Sequence, residues 1–306
     1  EQLRSITNFQ KLIIAMAGSW VVLALVFCTP GHALLIGRVP GNRARESNLI
    51  TASLASFSPV LPDRVTVCVD ADAVGAAVLE QLGACAEEAI AARGHFALAI
   101  PGGSVLKMLA GSSPSWAAKT TLAYVNHKCV AMDDVSLATH AKATTLFLDG
   151  WAGVQPILLA GTADTAAERA AYEAALAALP ESVLPRQNGL PAFDLALIGV
   201  GDDGHVGSLY PGREEVLETE AWVVGVEMKV PGSISLSLPV MAASKKVLIA
   251  ACGVSDKYPQ GKSDAMKRAI EGEETLQSFP ASGLRGCASW VIDEAAASKL
   301  SDAYLA

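Results

Sequence analysis

The feature that most constrains the fold is a series of short apolar runs that alternate with helical patterns between residues 64 and 293. The run FALAI at 96–100 has strand length, and the segment before it carries apolar residues at helical spacing and stops at Gly94. Further strand-like runs lie at 65–70, 122–132, 154–160, 193–200, 221–228, 233–239, 246–253 and 289–293, with helical patterns at 163–178 and 261–272. Strands without a polar face must be covered on both sides. The sequence therefore predicts an α/β fold, a three-layer sandwich with a mostly parallel sheet.

A second apolar stretch, at residues 12–28, contains no charged side chain, with Lys11 before it and arginines after it. About 20 apolar residues are needed for a helix to cross a bilayer, and flanking basic residues are typical of such a helix. We therefore predict one transmembrane helix at about residues 12–30, which makes a membrane a partner of the chain. Two alternatives stay open: a signal or thylakoid-type transfer peptide cleaved after Gly31-His32-Ala33, and a buried core helix.

The domain organisation follows from these patterns. An N-terminal segment at 1–37 carries the membrane helix, a linker rich in Pro, Gly, Ser and Asn fills 38–63, and one globular domain occupies 64–306. The first residue is Glu rather than Met, which favours a processed organellar precursor. Basic residues are denser after the apolar segment, so we expect a single-pass protein of the thylakoid or mitochondrial inner membrane, with the domain on the stromal or matrix side.

Charge and cysteine content exclude some function classes. The net charge is −8 without a block of like charges, so nucleic acid is not an expected partner. The six cysteines are scattered, with no C-x-x-C pair and no Cys/His cluster, which indicates free thiols rather than a disulfide or metal framework. We therefore expect no metal and no cofactor.

Two glycine-rich loops follow strand-like runs. In the first, Gly102, Gly103 and Ser104 stand between a strand and a helical pattern. Glycines let backbone N–H groups approach an anion, so this loop is a candidate phosphate cradle; the alternative is a tight strand–helix turn.

The second loop, GVGDDGHVGSLYPG at 199–212, places one histidine in a polar loop after a buried run. A histidine held beside a carboxylate can act as a general base near neutral pH. His205 is therefore the candidate base, and either Asp203 or Asp133 could orient it. The alternative is a structural histidine, which is how we interpret the other four histidines of the chain.

Five segments together resemble the 6-phosphogluconolactonase family: FALAIPGGSVLKMLA, FDLALIGVGDDGHVGSLYPG, LSLPVMAASKKVLIAACG, GKSDAMKRAIEG and FPASG followed by SWVIDEAAA. The related glucosamine-6-phosphate deaminases carry Asn-Gly-His-Ile-Ala-Phe-Asn-Glu at the second loop, which this chain lacks. The resemblance implies a three-layer α/β fold and metal-free hydrolysis of the lactone ring of 6-phosphoglucono-δ-lactone. It implies that His205 activates water, that residues 102–104 meet the sugar-phosphate end, and that Lys262 neutralises the phosphate.

The chain departs from the family at two arginines. The family has Asp-Glu-Arg where this chain has Asp133-Asp134-Val135, and an arginine where it has Ser233. Losing two charge-assisted contacts of about 1.5–3 kcal/mol each weakens binding by roughly 10²- to 10⁴-fold. Lys107, Lys142 and Lys262 could compensate in part.

Three hypotheses follow for the function. The chain is a membrane-anchored lactonase of weakened activity, or a non-catalytic accessory subunit of a photosynthetic or respiratory membrane complex with protein partners there. The third is an enzyme that acts on another sugar phosphate or ester.

Overall fold

The structure is a computed structural model of the chain. It describes the backbone of residues 11–17, 20–26 and 36–40, and the backbone and side chains of residues 58–254 and 261–305. The chain divides into two compact units, Glu1–Ala52 and Ser53–Ala306, which are described separately below.

The first unit contains a three-stranded antiparallel sheet of β1 (Lys11–Ala17), β2 (Trp20–Val26) and β3 (Ile36–Pro40). β1 and β2 pair from Lys11 opposite Val26 to Ala17 opposite Trp20. The prediction of a transmembrane helix at about residues 12–30 is therefore wrong where the chain is described. Both runs contain β-branched residues, and only a Gly-Ser pair separates them in the sequence, as is typical of a hairpin.

Across the described parts of the chain, no helix combines the length and the apolar character that crossing a bilayer requires. The cleavage site proposed at residues 31–33 and most of the linker predicted at 38–63 lie outside the described residues.

The second unit is built on a seven-stranded sheet, and every pairing within it is parallel. All five residues of the central strand Phe96–Ile100 are buried, so both faces of the sheet are covered. The predicted α/β fold with a mostly parallel sheet is confirmed. The strands are β4 (Val65–Cys68), β5 (Phe96–Ile100), β6 (Thr120–Tyr124), β7 (Asn126–Lys128), β8 (Gln155–Pro156), β9 (Arg186–Gln187), β10 (Leu190–Pro191), β11 (Leu195–Gly199), β12 (Val223–Val226), β13 (Ser233–Leu236), β14 (Lys246–Ala251) and β15 (Ala288–Asp293). The α-helices are α1 (Ala71–Arg93), α2 (Thr139–Leu146), α3 (Thr165–Ala178), α4 (Leu238–Ala242), α5 (Ser263–Glu271) and α6 (Glu294–Ala297).

Helix α1 covers one face of the sheet, and its ends are determined by sequence. The Asp70 carboxylate accepts a hydrogen bond from the backbone N–H of Ala73, which caps the first turn. Gly94 adopts the left-handed conformation that ends the helix. Apolar residues at helical spacing, Val74, Val78 and Leu82 among them, are buried against the strands.

The order of strands in the large sheet is β4-β15-β14-β11-β5-β6-β8. After β5 the chain adds β6 and β8 on one side of it, and β11, β14 and β15 then follow on its other side. Between β5 and β11 the strand order reverses, and α/β proteins bind ligands in the crevice at the carboxyl ends of the strands beside such a point. Both glycine-rich loops, which follow β5 and β11, start at this crevice.

A small antiparallel sheet of β12, β13 and β7 begins just beyond the end of β6. In it Ser233 is paired with Lys128 and Ser235 with Asn126. The run at 122–132, which the sequence predicts as one strand, is thus divided between two sheets.

Two other segments differ from the sequence pattern. Residues 104–109 form a 3-10 helix rather than the start of an α-helix. The run at 154–160 contributes only Gln155–Pro156 to the sheet edge. Proline cannot donate a ladder hydrogen bond, which confines this strand to an edge.

Candidate active site

A cleft of about 90 Å³ opens at the carboxyl ends of β5 and β11. Gly102, Gly103, Ser104, His205 and Lys262, five of the residues singled out from the sequence, all line it. Its remaining lining residues are Pro101, Val105, Asn126, Gly199, Val200, Gly201 and Gly207. The fold thus brings the two glycine-rich loops and the buried lysine to one place.

The histidine loop, residues 199–210, holds His205 against Asp203. His205 Nδ1 lies 2.6 Å from Asp203 Oδ1, and the same oxygen accepts the backbone N–H of His205 at 3.0 Å. Because a carboxylate only accepts, Nδ1 carries the hydrogen and Nε2 is the proton acceptor in the neutral ring.

Asp203 is held in its charged form. Partial burial alone would raise its pKa, but the hydrogen bonds from the ring and backbone of His205 outweigh burial and lower the pKa to about 2. A carboxylate that stays ionised keeps the imidazole in one tautomer and stabilises the imidazolium when it forms.

Glycine at position 201 is required by the position of the ring. A Cβ on Gly201 would lie 2.1 Å from His205 Nδ1, and the Gly201 N–H donates to the His205 carbonyl at 2.9 Å. Gly207, with a positive φ of 59°, passes so close to β13 that a Cβ there would lie 2.5 Å from Ser235 Oγ. The glycines of this loop therefore determine where the base stands.

Tyr210 covers one side of the base. Its ring centroid lies 4.7 Å from that of His205, with the planes tilted by 35°. The ammonium of Lys229 stands 4.8 Å from the Tyr210 ring centroid, within the range of a cation–π contact. A positive charge thus lies close to the aromatic ring that packs against the base.

Lys262 enters the cleft from the start of α5. Its side chain is buried, and Nζ donates to the Val200 carbonyl at 2.8 Å. Across the cleft, Gly103 has a positive φ of 90°, a conformation that glycine adopts readily. The lysine and the loop at 102–104 thus face one another across a small space.

A larger cavity of about 540 Å³ shares Ser104 and Lys262 with the cleft. Lys107, Met108 and Leu79 are among its other lining residues. Pockets for small ligands are usually about 300–1,000 Å³, so the cleft of about 90 Å³ alone holds only part of such a ligand. The rest of such a ligand would extend beyond it.

Asn126 lines the cleft but was not predicted. Its Oδ1 accepts the backbone N–H of Gly102 at 3.0 Å, and its Nδ2 lies 3.4 Å from Ser208 Oγ. In the sequence it lies inside an apolar run interpreted as one strand. The polar pair Asn-His in that run was the available signal for a strand end.

Of the two carboxylates proposed to orient His205, the structure brings only Asp203 to the ring. Asp133 is exposed and is not among the residues that line the cleft. Val135, aligned with a family arginine, is 76% exposed. Ser233 is buried in β13, and Lys142 is not part of the cleft lining.

The family model for glucosamine-6-phosphate isomerases/6-phosphogluconolactonase matches residues 69–292. A 6-phosphogluconolactonase of Rattus norvegicus is 32% identical over 229 residues, covering 68% of this chain and 82% of the relative. A probable 6-phosphogluconolactonase 3, chloroplastic, of Oryza sativa subsp. indica is 29% identical over 238 residues, covering 70% of this chain and 69% of the relative. The crystal structure of 6-phosphogluconolactonase from Leishmania guyanensis superimposes with a TM-score of 0.63 at 20% identity, covering 80% of this chain and 100% of that one.

Proposed function

The chain belongs to the glucosamine-6-phosphate isomerase/6-phosphogluconolactonase family, and we propose that it hydrolyses the lactone ring of 6-phosphoglucono-δ-lactone. The observation that carries the proposal is the Asp203–His205 pair, at 2.6 Å, beside an open cleft at the reversal of strand order. A neutral imidazole with a free Nε2 is the group that ester hydrolysis by water requires.

In the proposed reaction, His205 Nε2 accepts a proton from a water molecule whose oxygen attacks the lactone carbonyl carbon. The new carbon–oxygen bond gives a tetrahedral intermediate with a negative oxygen. When that intermediate collapses, the bond to the ring oxygen breaks, and the imidazolium returns the proton to the leaving oxygen as a hydroxyl. Asp203 stays ionised throughout, orients the ring and stabilises its charged form. The product is 6-phosphogluconic acid, which releases one proton to solvent and becomes 6-phosphogluconate.

The composition of the cleft favours lactone hydrolysis over the deamination carried out by other members of the superfamily. Among the described residues that line the cleft, none is Asp or Glu, and His205 is the one general base. Deamination of an amino sugar with a shift of its carbonyl needs a further group to move a proton between neighbouring carbons. Hydrolysis needs a single base that accepts a proton and then returns it.

The phosphate grip is proposed to use lysines in place of the family arginines. Ser233 is directly opposite Lys128 in the β13–β7 ladder, and side chains of paired residues lie on the same face about 4.5–5.5 Å apart. Lys128 therefore lies next to the position of the missing arginine; its Nζ donates to the Pro231 carbonyl at 3.0 Å, and it stands outside the cleft lining. With Lys262 and the loop at 102–104, it supplies positive charge for a phosphate.

The alternative of a non-catalytic subunit in a membrane complex was motivated by the two missing arginines together with a membrane helix at residues 12–30, where the described residues form strands. We do not retain it as a second candidate function. The chloroplastic relative from rice supports a plastid location, which imaging of the full chain fused to a fluorescent protein would test.

The experiment compares purified wild-type protein with His205→Ala on two substrates. Fresh 6-phosphoglucono-δ-lactone is followed in a coupled assay, and glucosamine 6-phosphate is followed by ammonia release. We expect the wild type to open the lactone with kcat/KM about 10²- to 10⁴-fold above that of His205→Ala, and to release no ammonia from glucosamine 6-phosphate. His95→Gln is the matched control, because His95 bonds Thr121 Oγ1 and is not part of the cleft lining.

Two results would overturn the proposal. The first is wild-type protein that opens the lactone no faster than buffer does. The second is His205→Ala that retains the wild-type rate. Ammonia release without lactone opening would instead assign the chain to the deaminase side of the superfamily.

A further inference from the structure

We infer that Phe279 is a positioning residue of the proposed reaction, because its ring fixes Gly204, the residue that joins the orienting carboxylate to the base. The inference rests on the proposed function and names a residue that acts through the base rather than on the substrate. Phe279 opens the segment FPASG at 279–283, which carries part of the family resemblance and stands outside the cleft lining.

The ring of Phe279 lies directly on the backbone of Gly204. A Cβ added to Gly204 would lie 2.4 Å from Cγ and Cδ2 of Phe279 and 2.5 Å from Cδ1. Nearly equal distances to these three atoms place the added Cβ over the face of the ring rather than at its edge. Phe279 is fully buried, so close packing keeps the ring in this place.

The side chain of Phe279 is held by a charged neighbour. The guanidinium carbon of Arg268, on helix α5, lies 4.6 Å from the ring centroid, within the range of a cation–π contact. Arg268 Nε donates to Glu274 Oε1 at 2.6 Å, and this bond lowers the pKa of the Glu274 carboxyl. Ser278 Oγ donates to the other oxygen of Glu274 at 2.6 Å. The residue before Phe279 is thus connected to the cation that contacts its ring.

The main chain around Phe279 is bonded to the histidine loop and to the residues that follow it. The Ala281 N–H donates to the Gly204 carbonyl at 3.0 Å. The Gly212 N–H donates to the Gln277 carbonyl at 2.7 Å. These two hydrogen bonds lie on both sides of Phe279 along the chain, so they keep its ring in register with Gly204.

Gly204 controls how the base and its carboxylate meet. His205 Nδ1 lies 2.6 Å from Asp203 Oδ1, and the backbone N–H of His205 donates to the same oxygen at 3.0 Å. Both hydrogen bonds span Gly204, so a change in its backbone dihedrals would separate their partners. Glycine has a wider range of backbone conformations than other residues, and an unsupported Gly204 would let the pair open. The ring of Phe279 removes that freedom.

Two substitutions remove the flat ring while the site stays apolar. Phe279→Leu is the first, and Phe279→Met is the second, because its flexible chain fills irregular space and favours a folded protein. Phe96→Leu is the matched control. Phe96 is also fully buried, but it is the first residue of β5, at the opposite end of the strand from the cleft, and its ring contacts Trp116.

The kinetic experiment uses 6-phosphoglucono-δ-lactone below the unfolding temperature of each variant. Phe279→Leu and Phe279→Met are expected to lower kcat about 10- to 100-fold and to change KM less than about twofold, because the base is displaced while the substrate site is intact. In an Asp203→Asn background, Phe279→Leu should lower kcat by less than about a further twofold, since the carboxylate that it positions is already absent. Phe96→Leu should lose thermal stability and keep the wild-type kcat.

Proton NMR tests the same contact without substrate. The hydrogen on His205 Nδ1 stands in a 2.6 Å bond to a carboxylate, so we expect a downfield resonance that Asp203→Asn abolishes. Phe279→Leu should shift this resonance upfield or broaden it through exchange with water. Phe96→Leu should leave it in place.

Three results would overturn the inference while the proposed function stands. The first is a wild-type kcat or an unchanged resonance in both Phe279 variants, and the second is an equal loss of kcat in Phe96→Leu. The third is a full further loss in the Asp203→Asn background, since Phe279 would then act other than through the pair. Wild-type protein that opens no lactone contradicts the proposed function instead, and the resonance then still decides the role of Phe279.

Discussion

The histidine loop at 199–210 and the segment at 131–137 both contain aspartates that the sequence offers as partners for His205, yet they are built differently. In the histidine loop Val206 and Leu209 are fully buried, and Val200 pairs with Val206 across the turn. The segment at 131–137 has an Asx turn in which Asp134 Oδ1 accepts from its neighbours Ser136 and Leu137. The first loop is determined by close packing, whereas the second is held by local contacts and leaves its side chains in solvent.

The two regions differ in how the proposed catalytic residues are positioned. His205 and Asp203, the base and its orienting carboxylate, are two residues apart in one loop, so the fold of that loop alone holds them in contact. The cations proposed to bind the phosphate come from separate elements, Lys128 from β7 and Lys262 from the start of α5. In a phosphate site of this kind one cationic residue can be replaced by another, whereas the glycines of the histidine loop cannot be replaced.

The largest expected effect comes from a substitution inside the histidine loop that displaces the His205 ring. Gly201→Ala places a methyl group where the His205 ring stands, so the ring must move away from Asp203. We expect kcat/KM for the lactone to fall about 10²- to 10³-fold, as kinetics on the purified variant would measure. Gly286→Ala is the control, because no atom lies within 4 Å of its added Cβ; activity retained by Gly201→Ala would show that the close fit is unimportant.

The second prediction tests whether phosphate binding depends on Lys128 or on the exposed segment at 131–137. Lys128→Met removes a charge opposite Ser233, and we expect KM for the phosphorylated lactone to rise about tenfold or more with little change in kcat. Lys128→Arg should largely restore KM. Val135→Arg, at a side chain that is 76% exposed, should leave KM unchanged. If Val135→Arg lowered KM for the phosphorylated lactone and Lys128→Met left it unchanged, the phosphate site would lie at the segment 131–137 and not at Lys128.

A smaller effect concerns His127, which anchors β7 to α2. His127 Nδ1 donates to the Lys128 carbonyl at 2.6 Å, and Nε2 accepts the backbone N–H of His140 at 3.1 Å. Burial lowers the pKa of His127, so the unfolded chain takes up the proton first as the pH falls below about 6.5.

Stability should therefore decline between about pH 6.5 and 5, by at most about 1.4 kcal/mol per pH unit for this residue. Denaturant unfolding of wild type and His127→Gln over that range measures it, and the variant should show a shallower decline. Because the pKa values of His95 and His140 are also lowered by burial, a decline remains in the variant. Parallel curves for the two proteins would contradict the role of His127.

The smallest effect has a different pH range. The folded-state pKa of Asp203, about 2, lies below its ordinary value, so its contribution to stability is present above about pH 4 and fades as the pH falls towards 2. The stability difference between wild type and Asp203→Asn should therefore shrink as the pH falls from 4 to 3. A difference that grows over that range would show that the carboxylate is not held in its charged form.

The sequence predicted the large sheet well because its central strands are buried on both faces. The run at 96–100 matches β5 residue for residue, and the runs at 193–200 and 246–253 contain β11 and β14. The N-terminal apolar stretch was misassigned, since hydrophobicity alone does not distinguish a membrane helix from strands rich in valine and isoleucine.

The parts of the candidate site that lie in the two glycine-rich loops were predictable from the sequence, whereas the part at the end of β6 was not. His205 and the loop at 102–104 were found from local pattern, whereas Lys262 was assigned through the family resemblance. Asn126 was missed because the end of β6 lies inside a continuous apolar run. Which residue faces the cleft there depends on the pairing of β7 with β13, a long-range contact that no local pattern contains.

The central claim is that Asp203 and His205 act as one catalytic unit, and a double-mutant cycle tests it most directly. The measurement is kcat/KM on 6-phosphoglucono-δ-lactone for wild type, Asp203→Asn, His205→Gln and the double variant. The account predicts a large loss for each single change and a double variant no slower than His205→Gln, because Asp203 works only through the ring. Losses that multiply in the double variant would contradict it, since each residue would then contribute on its own.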